Sequence, residues 1–112
     1  MKNYAGPPEE LLTDAKKKWG FENKQLRFIR GNENWVYEVD DCIFRFTANY
    51  HRDVNEIQAE LDWIIYLAEQ GLSVSVPIES KEGLFVEEIS DTWVCVVFKK
   101  APGFMLKETH QF

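Results

Sequence analysis

Two charged residues stand where the sequence is otherwise apolar. Arg45 interrupts the run of Cys42, Ile43, Phe44 and Phe46 in "CIFRF", and Glu60 borders the apolar stripe of "DVNEIQAELDWIIYLAEQG". A guanidinium stays ionised and can bond two oxygens of one anion with its planar fork. A carboxylate on a rigid helix can hold such a cation through charge-assisted hydrogen bonds. Both residues also have ordinary readings, as solvated surface charges worth at most ~1 kcal/mol if they pair. The segment Gly31, Asn32, Glu33 and Asn34 has the residue types of a tight hairpin turn. His51, next to Arg52, reads as a local capping or packing group. Cys42 and Cys95 have no second cysteine or histidine at metal-ligand spacing. They are expected to be buried thiols in a reduced, cytoplasmic compartment.

These residues need elements to position them. "PPEELLTDAKKKWGF" carries helix punctuation: Pro7 or Pro8 at the start, Glu9 and Glu10 early, Lys16, Lys17 and Lys18 late, and Gly20 as terminator. Leu11, Leu12, Ala15 and Trp19 fall on one side of it. Strands are expected over 26–30, 35–39 and 42–47, with Asp40 and Asp41 as a two-residue turn. That turn pairs Trp35, Tyr37 and Val39 with Phe46, Phe44 and Cys42 on one face. It pairs Val36 with Arg45 and Glu38 with Ile43 on the other. So many aromatics on one face must be covered, most simply by the first helix.

A long helix is expected over 53–70, opened by a capping box of Asp53 and Glu56 and closed by Gly71. Its stripe is Val54, Ile57, Leu61, Ile64, Ile65 and Ala68. Further strand signals are "VSVPIES", "LFVEEIS" and "WVCVVF", the last apolar on both faces as a central strand would be. The order is that of an α+β domain with an antiparallel sheet of about five strands.

Composition narrows the partners. The 112 residues carry 13 basic and 19 acidic side chains, a net charge of −6. That balance argues against a general electrostatic grip on nucleic acid or an anionic membrane. It leaves room for an anionic small molecule held by a few local groups. An apolar share of 45% is that of a folded domain. No apolar run approaches the ~20 residues of a bilayer span, and the N-terminal stretch lacks a signal-peptide core.

The ordered set "GNENWVYEV…CIFRF…HRDVNEIQAELDWIIYLAEQGLSVSVPIES…WVCVVFKKAPG" resembles the N-terminal lobe of the aminoglycoside phosphotransferase family, which includes choline-kinase-like enzymes of protein-kinase-like fold. The resemblance implies a nucleotide site. Gly31, Asn32, Glu33 and Asn34 would cover the phosphates of ATP with backbone N–H groups. Arg45 would take the place of the third-strand lysine that pairs with the α- and β-phosphates, and Glu60 that of the helix carboxylate which positions it. Val36 and Ile43 would roof the adenine, a use the sequence alone does not separate from core packing. Phe98, Lys99 and Ala101 would belong to the hinge, with backbone groups of Lys99 and Ala101 on the adenine edge.

By the same resemblance, residues 1–103 would form the ATP-binding lobe and 104–112 the start of a connection to a C-terminal lobe. The catalytic base, the Mg ligands and the site for a small hydroxylated substrate are expected in that second lobe, beyond Phe112. Without them the lobe is expected to be inactive alone. The competing reading is a non-catalytic α+β module that binds another protein.

Overall fold

A computed structural model describes residues 6–102. The elements are α1 (Glu9–Trp19), β1 (Arg27–Gly31), β2 (Asn34–Val39), β3 (Cys42–Ala48), α2 (Val54–Glu69), β4 (Val76–Ile78), β5 (Glu87–Glu88) and β6 (Trp93–Lys99). Both helices end as their glycines suggest. Gly20 (φ 82°) lets Phe21 N–H reach the Lys16 carbonyl, and Gly71 (φ 91°) lets Leu72 N–H reach that of Leu67. At the start of α2, Asp53 accepts from the Glu56 N–H while the Glu56 carboxylate accepts from the Asp53 N–H.

The strands form one antiparallel sheet in the order β1-β2-β3-β6-β4, with β5 also paired to β6. The β2–β3 register is the one expected from a two-residue turn: Trp35 opposite Phe46, Val36 opposite Arg45, Tyr37 opposite Phe44 and Val39 opposite Cys42. Asp40 makes the turn in a left-handed conformation (φ 53°), which aspartate tolerates better than most residues. The sheet has six strands, not about five. "LFVEEIS" contributes only Glu87–Glu88, because Leu84 remains exposed just after the turn at 81–83 and Ser90 already belongs to the next bend.

Period-two alternation splits the interior into two cores. On one face Ala15 and Trp19 of α1 cover Tyr37, Phe44, Phe46, Cys95 and Val97. On the other, Ile57, Leu61 and Ile64 of α2 cover Val36, Ile43, Val94, Val96 and Phe98. The first helix therefore covers the aromatic face, although Leu11 stays half-exposed and Phe21, just beyond the helix, joins in. With a helix on each side, every residue of β3 is buried, and Arg45 lies in its middle. Among the described residues no helix is long and apolar enough to cross a membrane.

Candidate functional site

The strand pairing decides where Arg45 points. It is flanked by Val36 on β2 and Val96 on β6, and its side chain enters the α2 core. Arg45 is 1% exposed, the bulkiest of the fully buried side chains. Burying a guanidinium without a partner is prohibitive, so the core must supply one. Glu60 does: Nη1 donates to Oε2 and Nη2 to Oε1, each at 2.9 Å. The guanidinium carbon also lies 5.2 Å from the centre of the Phe98 ring, a cation–π distance. One nitrogen is left over: the Arg45 Nε–H is buried and has no hydrogen-bond partner among the described residues.

Glu60 carries a second cation that the sequence did not flag. Arg52, in the loop between β3 and α2, donates from Nη1 to Glu60 Oε1 at 2.9 Å and from Nη2 to the Glu56 carbonyl at 3.2 Å. Burial alone would raise the Glu60 carboxyl, but Arg45 and then Arg52 outweigh it and hold the group below the ordinary glutamate value. Glu38 behaves alike: burial raises it, and bonds from Lys100 and Arg27 bring it below the ordinary value.

A group depressed in the folded state adds stability above its unfolded pKa, here 4.5, and loses it as pH falls through the folded value. Urea midpoints are thus expected to be insensitive to these two groups between pH 7 and 5 and to fall below pH 4.5. In Glu38→Gln the acid-side fall should be shallower, and an unchanged slope would refute the assignment.

The polar turn comes out differently from its glycine signal. Gly31 closes β1, Asn34 opens β2, and Asn32 and Glu33 form the exposed bend between them. A Cβ at Gly31 would lie 2.4 Å from the Trp35 ring, and one at Gly6 2.6 Å from the same ring. Glycine at 31 is therefore required by close packing of Trp35, whatever else approaches the turn. Asn34 is held by Thr47, whose buried hydroxyl donates to its side-chain oxygen at 2.8 Å.

The remaining sequence-predicted residues divide by depth. Val36, Ile43 and Phe98 are each 0% exposed and pack into the α2 core. Of the two uses left open for Val36 and Ile43, core packing is the one observed. Lys99 pairs through its backbone strand with Cys42 and Val76 and through its ammonium with Asp41. The Ala101 N–H donates to the Ser75 hydroxyl at 3.0 Å. Ser75, 1% exposed, carries no signal of this contact in the sequence, because the two residues lie 26 positions apart, in the segments just before β4 and just after β6. Gly103 and the expected connection over 104–112 lie outside the described residues.

Both thiols are buried and unpaired with each other. Burial and then Asp41 push Cys42 up to about 11, and burial raises Cys95 well above the ordinary thiol value, so neither is a nucleophile at neutral pH. His51 donates its N–H to the Ala48 carbonyl and lies against Tyr50. Among the described residues no group of three His, Cys, Asp or Glu side chains could hold a metal ion.

No protein-family profile matches the chain. It is 32% identical over 109 residues to the amicoumacin kinase of Bacillus subtilis (strain 168), an alignment covering 90% of this chain and 32% of that protein. A structure of the amicoumacin kinase hAmiN in complex with AMP-PNP, Ca2+ and Ami superimposes with a TM-score of 0.80 at 33% identity, covering 87% of this chain and 32% of that one. A microcompartment-associated aminopropanol kinase shares the fold, with a TM-score of 0.67 at 22% identity over 88% of this chain and 33% of that one. The chain spans about a third of the length of the relatives it matches. Its β-sheet and these likenesses are those of a partial phosphotransferase-like lobe, consistent with the kinase-like N-terminal lobe of the phosphotransferase family.

Proposed function

We propose that the lobe binds ATP within a phosphotransferase that moves the γ-phosphate to a hydroxyl of a small molecule. In that reaction the acceptor oxygen bonds to the γ-phosphorus, the bond to the β–γ bridging oxygen breaks, and ADP leaves. The hydroxyl proton passes to a base outside this lobe. Residues 1–103 form the nucleotide-binding part, and 104–112 lead toward the part that supplies the base and the metal ligands. A divalent cation bound there would neutralise phosphate charge. The likeness to a kinase seen with AMP-PNP and Ca2+ supports the reading.

One observation of this chain carries it: a buried guanidinium held by both Nη groups with its Nε–H unpartnered. A phosphate oxygen can accept that donor without breaking either bond to Glu60. In the bend between Gly31 and Asn34, the Glu33 N–H faces the same phosphates. The Asn32 N–H donates to the Asn34 carbonyl at 3.2 Å and must be shared or released to join it. An adenine edge at the hinge takes the Ala101 N–H over from Ser75, beside the carbonyl of Lys99 and behind Phe98. Val36 and Ile43 meet the base only where the side chains covering them give way.

Titration with AMP-PNP followed by NMR tests the assignment. Shifts are expected at the Arg45 Nε–H and at the N–H groups of Asn32, Glu33 and Ala101, and they should vanish in Arg45→Met. Shifts confined to other surfaces, with the Arg45 Nε–H unmoved, would overturn it.

A further inference from the structure

We infer that Arg52 is a positioning residue: it holds the Glu60 carboxylate in place for Arg45 and bears no phosphate itself. The inference rests on the nucleotide reading only for its functional consequence, since the geometry stands without a ligand. Three charge-assisted hydrogen bonds converge on one carboxylate, two from Arg45 and one from Arg52. The two arginines differ in what else holds them. Arg45 is anchored in the centre of β3, whereas Arg52 is one-third exposed and ties back to the Glu56 carbonyl, one turn before Glu60 on α2. Arg52 therefore grips the same helix at two heights, through a side chain and through the backbone.

That arrangement solves a specific electrostatic problem. Glu60 Oε1 is shared between Arg45 Nη2 and Arg52 Nη1. An arriving phosphate on the Arg45 Nε–H shares the guanidinium charge, so the two bonds to Glu60 persist but weaken. With Arg45 as sole partner, the partly buried carboxylate would then be less fully compensated. Arg52 keeps one bond to Oε1 throughout, so the carboxylate neither swings away nor takes up a proton. Arg45 can turn its Nε–H to the ligand while Glu60 stays where it is. A lysine at 52 could supply the charge, but its single ammonium cannot reach Glu60 and the Glu56 carbonyl in the planar, forked manner of arginine.

The test compares Arg52→Gln and Arg52→Lys with the unaltered chain, each first confirmed folded by circular dichroism. Glu60 is followed by its side-chain 13C shift as pH is lowered, without nucleotide. Its apparent pKa is expected to rise in Arg52→Gln and to rise less in Arg52→Lys, while Arg45 Nε–H remains observable. AMP-PNP affinity is then expected to fall roughly two- to fivefold in Arg52→Gln, the scale of one partly exposed ion pair. Repeated in a Glu60→Gln background, Arg52→Gln should change affinity no further. An unmoved Glu60 titration would overturn the inference. So would an equal loss of affinity in the Glu60→Gln background, which would make Arg52 a direct phosphate ligand. If no nucleotide binds at all, the functional reading fails, and the titration still decides whether Arg52 positions Glu60.

Discussion

Arg45→Ala is expected to cost about 3–5 kcal/mol of folding stability, the range for removing one partner of a buried pair. The substitution does three things at once. It strips two of the three hydrogen bonds from Glu60, removes the cation over the Phe98 ring, and opens a void in a strand with no exposed residue. Against a typical total of about 5–15 kcal/mol this leaves a marginal domain. Urea denaturation at pH 7 measures it, and a loss under about 1 kcal/mol would mean that the pair behaves as an exposed one.

The companion variant separates stability from purpose. Replacing both partners, Arg45→Met with Glu60→Leu, removes the desolvation cost together with the attraction. It is expected to restore stability to within about 1–2 kcal/mol of the unaltered chain or to exceed it. Nucleotide-induced shifts should nonetheless be absent. A core that folds as well without its ion pair has no structural need of it, and the unpartnered Nε–H then stands as the reason for keeping a guanidinium there.

How much of this was legible depended on periodicity. A two-residue turn at Asp40 and Asp41 sets every cross-strand pair from Asn34–Thr47 to Val39–Cys42, and alternation then sends Arg45 away from Phe44 and Phe46. Helical spacing likewise places Glu60 beside Ile57 and Ile64, so the two charges had to meet once α2 packed on that face. Contacts without a period were invisible. Ser75 capping the Ala101 N–H and Arg52 reaching Glu60 both depend on loops whose paths no pattern encodes. Gly31 shows the opposite hazard, a residue type with two explanations. A glycine in a polar turn suggests close approach of an anion, yet here the Trp35 ring already fills the space of its missing Cβ.

The second large effect concerns the opposite face of the same strand. Phe44 is 0% exposed and meets three rings, with centroids at 6.0 Å to Trp19, 5.5 Å to Phe21 and 6.5 Å to Phe46. Two of those contacts are edge-on, the geometry aromatic pairs prefer. Trp19 cannot follow a shrinking neighbour, because its indole N–H is fixed on the Ile78 carbonyl at 2.9 Å. The cavity left by Phe44→Ala should therefore stay largely open, at a cost of about 3–5 kcal/mol. For a domain of this size that lowers the melting temperature by roughly 12 °C or more. Phe44→Leu, which keeps most of the volume, should cost about 1.5 kcal/mol. Because Phe44 and its neighbour Arg45 point to opposite sides of the sheet, the Arg45–Glu60 signals should persist in Phe44→Leu at temperatures where it is folded. Leu61→Ala, on the α2 face, should disturb them. If Phe44→Leu moved the Arg45 Nε–H resonance as much as Leu61→Ala did, the two cores would be coupled through β3, and the separation of a stabilising face from a ligand-binding face would fail.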